Sequence, residues 1–299
     1  MPLEHHAAIG MSSPSSAIIL VVLVVVSFLY VRVWRRMLRV SASAIPTWRA
    51  ASFLFGMSLI WAALGSPLVA YDHHLLTVHM IQHLLLMTFA PALILLGEPP
   101  LVFWHGLPRF GKVTLGPLLQ RPVVQRFAWM LSRPALCWTV SALTLMGWHV
   151  PELFTMAMHS EAWHSVEQAS FLVAGFLFWW PVVQPWPSVS TGPQWSTLLY
   201  LFLATLPCDI LSGFLVFSER VAYPVYLSMP RHFGFSAMED QQCAAALMWA
   251  FVTLIYLVPA AILSTRLLSP RSFHPADAVQ SELRGSIAAR RNPQRVEAV

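Results

Sequence analysis

Seven apolar stretches, each about as long as a membrane-spanning helix, recur along this chain. A helix needs about 20 mostly apolar residues, within a range of about 17 to 25, to cross the hydrocarbon core of a bilayer. Only 10% of the residues are charged, whereas soluble domains average about 25%. The sequence therefore predicts an all-α integral membrane protein, a seven-transmembrane-helix bundle. The predicted spans are 17–34, 50–70, 75–97, 134–154, 163–183, 196–217 and 241–265.

Basic residues are divided very unequally between the two sides of this predicted bundle. Of the 18 Lys and Arg residues, all but Arg220 and Arg231 fall on one side. Short cytoplasmic loops retain Lys and Arg, so the amino terminus is predicted to lie outside and the carboxyl terminus in the cytoplasm. The residues on the predicted cytoplasmic side are Arg32, Arg35, Arg36, Arg39, Arg49, Arg109, Lys112, Arg121, Arg126, Arg133, Arg266, Arg271, Arg284, Arg290, Arg291 and Arg295.

The first span is predicted to be a retained helix rather than a cleaved signal peptide. A secretory signal carries its positive charge before the apolar region, whereas here Arg32, Arg35 and Arg36 follow it. The net charge of +5 requires no nucleic acid partner, because insertion and anionic lipids account for the basic residues. The predicted parts are an external amino-terminal segment (1–16), a seven-helix membrane domain (17–265) and a disordered basic cytoplasmic tail (266–299).

His79 and His83 lie four residues apart near the outer end of the predicted third span. Four residues is about one helical turn, so both imidazoles share a face and could bind one metal ion. Ionisable side chains in a membrane helix are costly and usually face a cavity or a partner. Ordinary interior packing remains the alternative. A zinc protease is excluded, because Met80 stands where the general-base glutamate would follow the first histidine.

Ten of the 12 histidines fall on the predicted outer side or at the outer membrane boundary. Several carboxylates and methionines accompany them there. Imidazole and thioether ligands together suit copper, especially Cu(I), better than magnesium or calcium. The residues on the predicted outer side therefore indicate that the protein binds a metal ion there. The ten histidines are His5, His6, His73, His74, His79, His83, His149, His159, His164 and His232, while His105 and His274 are predicted to lie inside.

Further candidate ligands flank the predicted fourth and fifth spans. His149 closes the fourth span, where Pro151 is expected to end the helix. His164 and Glu167 are three residues apart at the start of the fifth span, so a ligand and an orienting carboxylate could be adjacent. His159 lies in the loop between these spans. A solvated loop position is the alternative for His159.

Asp240 and the three cysteines have good structural explanations. Asp240 lies at the amino end of the last predicted span, where the helix dipole favours an acid and free backbone amides need caps. A ligand or orienting role stays open for it. Cys137, Cys208 and Cys243 form no Cys-x-x-Cys pair, which gives little support to a thiol relay or a disulfide scaffold.

The run His79-Met-Ile-Gln-His83-Leu-Leu-Leu, followed by Pro91 and by Leu-Gly97-Glu-Pro99, resembles the signature of the CtaG family of cytochrome c oxidase assembly factors, associated with caa3-type oxidases. The resemblance covers roughly residues 61 to 262. Motifs similar to later ones of that family follow in the same order: Trp148-His149-Val-Pro151-Glu, His164-x-x-Glu167, Trp179-Trp180-Pro181 and Asp240-Gln241-Gln242.

The resemblance implies a multi-pass protein of the bacterial inner membrane that helps to mature a haem-copper oxidase. Copper, as Cu(I), would be handled at the periplasmic face, and oxidase subunits and other copper chaperones would be partners. No catalysis is implied. His73 and His74 fall outside the family pattern, and their participation stays open. The implied roles are His79 and His83 as principal ligands, His149 and His164 as the next ligands, Met80 and His159 as transient ligands, and Glu167 and Asp240 as orienting carboxylates.

Two other classes of function remain compatible with these residues. A membrane oxidoreductase of the di-iron type, or one with another metal, would also use histidines four apart, although the familiar enzymes have more tightly clustered histidine boxes. A haem-binding protein would place single histidines on facing helices, as His83 could be with His149 or His164. Zinc, iron and haem therefore stay open beside copper.

Overall fold

The computed structural model describes residues 14–40, 45–185, 193–230 and 234–268. Within these ranges the chain is helical and contains no β-strand. The all-α prediction is confirmed for this part of the chain. Several predicted features lie outside the described residues, namely 1–13 of the external segment, 269–299 of the tail, and His5, His6, His232 and His274.

Twelve α-helices are formed within these ranges. Two short 3-10 helices, Pro67–Ala70 and Pro224–Leu227, and one π-helix, Leu85–Phe89, join them. The α-helices are α1 (Pro14–Val40), α2 (Thr47–Leu64), α3 (Leu76–Leu84), α4 (Ala90–Leu96), α5 (Pro99–Gly106), α6 (Arg109–Leu119), α7 (Pro122–Leu131), α8 (Pro134–Trp148), α9 (Pro151–His159), α10 (Glu161–Val183), α11 (Gln194–Phe217) and α12 (Ala237–Leu268).

Six helical segments of the described chain are long and apolar enough to cross a membrane, which makes this a multi-pass membrane protein. The predicted fourth span, 134–154, is divided in the structure. Its helix α8 has 15 residues and is about 22 Å long, whereas the hydrocarbon core is about 30 Å thick. The count of seven spans therefore stays a prediction. The six segments are Ser16–Arg39, Thr47–Ala70, Leu76–Leu96, Glu161–Val183, Trp195–Phe217 and Ala237–Leu268.

The chain divides into two units, 1–260 and 261–299. In the second unit the described residues, 261–268, are helical. All contacts described below lie within the first unit.

The third span contains a π-helical turn between α3 and α4. Pro91 explains this turn, because proline has no N–H to donate to the Met87 carbonyl, and its ring would collide with that carbonyl in a regular α-helix. A π turn of this kind is rare and frequent at functional sites. The turn separates the histidine-bearing helix α3 from the apolar helix α4.

The end of the third span away from the histidines packs against α1 and α2. The Tyr30 and Phe53 rings stack there with centroids 3.9 Å apart. The Tyr30 hydroxyl donates to the Gly97 carbonyl (2.6 Å), and Arg49 pairs with Glu98 (2.7 Å). These contacts anchor the Gly-Glu-Pro motif at a turn of the backbone, which is a structural role.

Helix α10 crosses the third span in very close contact at Gly175. A methyl group built on Gly175 would lie 2.5 Å from the Met87 carbonyl oxygen and 2.7 Å from the Pro91 ring. Such distances are too short for any side chain, so glycine is required for this approach. Glu167 lies two turns before Gly175, about 12 Å along the same helix. The contact thus brings Glu167 towards the histidines of α3.

Candidate metal centre

His79 and His83 of α3 meet Glu167 of α10 inside the bundle. The two imidazole rings have centroids 4.3 Å apart, as expected for neighbours one turn apart. The Glu167 Oε1 atom lies 3.6 Å from Nε2 of His79 and 3.6 Å from Nε2 of His83. One ligand atom from each residue can be chosen so that all three atoms lie within 4.8 Å of one another. We call this group the central cluster.

The polar atoms of the central cluster have no hydrogen-bond partner among the described residues. Both ring nitrogens of His79, both of His83 and both carboxyl oxygens of Glu167 are buried without one. The separation of 3.6 Å exceeds the roughly 2.7–3.2 Å of an N–H···O bond. Two ligands each about 2.0–2.2 Å from a tetrahedral metal ion lie roughly 3.3–3.6 Å apart. The spacing therefore fits a shared ion better than a direct hydrogen bond.

Aromatic side chains enclose the central cluster. Phe154 lies edge-on to the His79 ring with centroids 5.1 Å apart, and Phe171 lies 4.0 Å from the His83 ring. His79 and Glu167 are completely buried and His83 is 5% exposed. Burying polar groups without partners is costly, so these groups need a partner, which a bound cation or an ordered water would provide.

A sulfur and an imidazole nitrogen face each other beside the central cluster. The Nδ1 atom of His149 lies 2.7 Å from the Leu145 carbonyl, and only a protonated nitrogen can donate there. In a neutral ring this leaves Nε2 with a bare lone pair, 3.3 Å from Met80 Sδ. Two acceptors at this distance can share a soft cation. A metal-bound histidine commonly donates its other ring N–H to a carbonyl in this way.

A small cavity of about 40 Å³ extends from these residues into the bundle. Its wall includes His83, His149 and Met80, and mostly apolar residues such as Cys208 and Met248. Pockets for drug-sized ligands measure about 300–1,000 Å³. The cavity has room for water or a single ion, and it is too small for a porphyrin.

A second group of possible ligands lies beside the central cluster and consists of Asp72, His73 and His164. Asp72 Oδ1 is 3.7 Å from His73 Nε2, and Asp72 Oδ2 is 3.8 Å from His164 Nε2. The rings of His164 and His79 have centroids 5.6 Å apart. Burial raises the pKa of the Asp72 carboxyl, and the nearby His73 and His79 rings oppose that rise. We call this group the outer cluster.

Two tyrosines in the segment between α11 and α12 bond to the main chain of His149 and of Asp72. The Tyr223 hydroxyl donates to the His149 carbonyl (3.1 Å), and the Tyr226 hydroxyl donates to the Asp72 carbonyl (3.0 Å). Burial, with nearby carboxyl groups adding to it, raises the pKa of both phenols. The hydroxyls therefore stay protonated and keep their role as donors. Sequence reasoning did not identify either tyrosine.

Asp240 lies at the amino end of the histidine-bearing helix α3. Its carboxylate accepts the backbone N–H groups of Leu76 (2.7 Å) and Thr77 (3.1 Å). Its own helix α12 is capped instead by Ser236 and Glu239, which bond reciprocally as a capping box. Asp240 thus positions the helix that carries His79 and His83, and its oxygens are engaged by amides.

The described structure brings six of the predicted site residues into the region of the central cluster and leaves two elsewhere. His159 is exposed, and its ring bonds to the Thr155 carbonyl of its own helix. Asp240 acts through backbone amides, as described above. The six residues in or beside the cluster are His79, His83, Glu167, Met80, His149 and His164.

Asp72 was missed as a site residue, although it directly precedes two histidines at the start of the third span. Its side chain also accepts the Gln82 amide (3.3 Å), which ties it to α3. A carboxylate next to His73 and His74 was the visible signal. Its partner His164 lies far along the chain, so spacing alone could not reveal the pair.

Comparison with known proteins places these residues in a family context. Uncharacterized proteins of Mycobacterium bovis and Mycobacterium tuberculosis are each 24% identical over 241 residues, or 77% of this chain and 35% of the relative. One of Mycobacterium leprae is 22% identical over 230 residues, or 71% of this chain and 33% of the relative. The chain spans about a third of the length of these curated relatives.

No solved structure shows significant similarity to the chain. The sequence profile of the family described as cytochrome c oxidase caa3 assembly factor (Caa3_CtaG) matches residues 28–269. That range includes the central cluster, the outer cluster and the Met80–His149 pair. The chain belongs to the family of cytochrome c oxidase caa3 assembly factors.

Proposed function

We propose that this protein binds copper as cargo at the periplasmic face of a bacterial inner membrane and supports its insertion into a haem-copper oxidase. The observation that carries the proposal is the buried His79, His83 and Glu167 set, whose ligand atoms lack hydrogen-bond partners among the described residues. The family membership is the reason for naming an oxidase as the recipient of the copper. Oxidase subunits and other copper chaperones are the partners in this proposal, and no catalysis is required.

The Met80 and His149 pair supports copper over other metals. Zinc and magnesium have little use for a thioether, whereas Cu(I) binds thioether and imidazole well. The pair lies next to the central cluster, since the His83 and His149 rings have centroids 6.1 Å apart. An ion held by His79 and His83 would thus have soft ligands close by. The His164 ring lies slightly nearer, with its centroid 5.6 Å from that of His79. His159 is exposed, its ring is bonded to the Thr155 carbonyl, and it is not part of the proposed site.

The topology in this proposal has seven spans, an external amino terminus and a cytoplasmic carboxyl terminus. The unequal distribution of Lys and Arg supports that orientation. In it, α8 and the adjoining residues form the fourth span in spite of the short helix. The histidine end of the bundle then faces the periplasm, where an ion would be delivered to the oxidase.

One observation favours a second candidate, a metal-dependent membrane oxidoreductase. Two histidines and one carboxylate are the ligand set of many non-haem iron enzymes that activate oxygen, and His79, His83 and Glu167 form such a set. Bound iron with oxygen-dependent turnover would favour this candidate. A haem-binding role is less well supported, because the cavity beside His83 and His149 is too small for a porphyrin.

The proposal is tested in cells that lack the protein, complemented with wild-type chain, with a His79→Ala/His83→Ala variant or with a His159→Ala control. We expect the double variant to purify with less copper than the wild type and to leave the oxidase deficient in copper and in activity, because both imidazoles of the central cluster are gone. The control should behave as wild type, since His159 is exposed and outside the cluster. Elemental analysis and oxidase turnover are the measurements.

Equal copper content in the double variant and the wild type would contradict the assignment of the site. Normal oxidase activity in cells lacking the protein would contradict the assembly role. Iron in place of copper in the purified wild-type protein would favour the oxidoreductase.

A further inference from the structure

We infer that the outer cluster of Asp72, His73 and His164 is a second Cu(I) site, separate from the central cluster and first to meet an ion arriving from water. This inference rests on the proposed copper handling. One carboxylate oxygen and two imidazole nitrogens can be chosen so that all three atoms lie within 4.8 Å of one another. No residue is shared with the central cluster, so the two sites can be filled together.

The ligand atoms of the outer cluster lie slightly farther apart than they would around a bound ion. The Asp72 oxygens lie 3.7 Å from His73 Nε2 and 3.8 Å from His164 Nε2. Ligands of a tetrahedral ion lie roughly 3.3–3.6 Å apart, so shifts of a few tenths of an ångström bring each of these two oxygen–nitrogen pairs to that spacing. The His73 and His164 rings already face each other edge-on with centroids 5.1 Å apart.

Asp72 is held in place for this role by groups other than the two imidazole rings. Its Oδ1 accepts the His73 backbone N–H (2.7 Å), and its Oδ2 accepts the Gln82 side chain. The Tyr226 hydroxyl fixes its main-chain carbonyl. Asp72 itself is completely buried. Each carboxylate oxygen retains a further lone pair, and the side chain cannot easily turn away.

Exposure falls along the three histidines that lead from the outer cluster to the central cluster. The side chain of His73 is 43% exposed, that of His164 is 9% exposed and that of His79 is fully buried. The His164 and His79 rings are nearly parallel, with centroids 5.6 Å apart. An ion can therefore reach His73 of the outer cluster from water, and the imidazole inward of His164 already belongs to the central cluster.

The nitrogen of His164 that would bind the ion is now within 3.1 Å of the Gln168 amide, one turn along the same helix. That amide is the donor, so His164 Nε2 carries a lone pair rather than a proton. Rotation of the Gln168 side chain frees this lone pair for a metal. The bond keeps His164 in the tautomer that a metal needs.

The test counts Cu(I) ions bound per chain by the purified full-length protein, without oxygen and in competition with bathocuproine. A background with His5→Ala and His6→Ala removes adjacent histidines that could bind copper on their own. We expect His73→Ala to bind one Cu(I) fewer than this background, and His73→Cys to restore it, because a thiolate replaces the lost ligand. His159→Ala is the matched control and should lose none.

The variant His79→Ala/His83→Ala, measured in the same background, separates this inference from the proposed function. It should also lose one Cu(I), and adding His73→Ala should lose a second. If His73→Ala binds as many ions as the background, the outer site is refuted while the central site stands. If the His79→Ala/His83→Ala variant binds as many ions as the background while His73→Ala binds one fewer, the central site is refuted and the outer site stands. Failure of His73→Cys to restore the ion would also refute the outer site.

Discussion

At the scale of single residues, Glu167 is the group whose replacement is most informative. Its carboxyl oxygens have no hydrogen-bond donor among the described residues, and a buried carboxyl group in that state is costly. Glu167→Gln is therefore expected to leave the stability of the metal-free protein unchanged or to raise it. The same change should weaken Cu(I) binding by about 10–100-fold, because an anionic ligand is lost. Thermal unfolding and chelator competition measure the two effects.

The matched control for that change is Glu152→Gln, on an exposed side chain of α9, which should alter neither property. A fall in stability of the metal-free Glu167→Gln protein, with copper affinity intact, would indicate that Glu167 is a packing residue instead.

Met80 gives a second prediction at this scale. Met80→Leu nearly preserves volume, and such core changes cost less than about 1.5 kcal/mol, but it removes the sulfur 3.3 Å from His149 Nε2. We expect Cu(I) affinity to fall about tenfold, equal to about 1.4 kcal/mol, and Zn(II) affinity to stay constant. Met146→Leu, at a position 39% exposed, is the control. An equal loss for both metals would point to distorted packing rather than a lost soft ligand.

The sequence was most informative about residues that lie one turn apart. The pairing of His79 with His83 follows from helical periodicity, and Glu167 could be suspected from its neighbour His164. The meeting of Glu167 with the α3 histidines could not be predicted, because it depends on how two distant helices cross. His159 was predicted to lie in a loop, but it is the last residue of α9 and is exposed.

At the scale of secondary-structure elements, the contact at Gly175 decides how closely α10 approaches the third span. Gly175→Ala would place a methyl group 2.5 Å from the Met87 carbonyl oxygen. We expect a loss of about 1–3 kcal/mol in stability, as for other overpacked cores, and a lower copper content, because Glu167 moves with α10. Thermal unfolding in detergent and elemental analysis check this.

Gly213→Ala in α11 is the matched control, since a methyl group there would meet no described atom within 4 Å. It should be neutral or slightly stabilising. If Gly175→Ala is as stable and as rich in copper as this control, the close helix crossing does not determine the geometry of the site.

Two element-level features were beyond sequence reasoning. The π turn at Leu85–Phe89 was not anticipated, although Pro91 explains it once the helix is seen. Asp240 was expected to cap its own helix or to orient a ligand. Its carboxylate instead reaches the amino end of α3, across 164 residues of sequence, and no local pattern announces such a cap.

At the scale of the whole molecule, the orientation in the membrane can be tested directly. We expect Glu152→Cys to react with a membrane-impermeant maleimide in intact spheroplasts and Lys112→Cys to react only after the membrane is opened. The reason is that the predicted outer face carries few Lys and Arg residues. Replacing Cys137, Cys208 and Cys243 by alanine removes background labelling. If Lys112→Cys reacts in intact spheroplasts and Glu152→Cys does not, the orientation is the reverse of the predicted one.

The positions of most long helices follow from the lengths of the apolar stretches in the sequence. The predicted span 75–97 corresponds to Leu76–Leu96 and the predicted span 163–183 to Glu161–Val183, because long apolar runs in a bilayer become helices. The span 134–154 corresponds less well, since α8 ends at Trp148. Pro151 predicts a break in the helix there, but the sequence stays apolar on both sides of that proline. The packing order of the helices had no signal in a single sequence.

The ligand set of the central cluster also bears on the valence of the ion it accepts. Histidines that bind a metal are neutral, so Glu167 supplies the single formal charge among the three ligands. A monovalent ion then forms an electroneutral complex, whereas a divalent ion leaves an unbalanced charge in the apolar interior. An uncompensated buried ion costs several kcal/mol. Electroneutrality therefore favours Cu(I) in this three-ligand set, and a divalent ion would need one further anionic ligand.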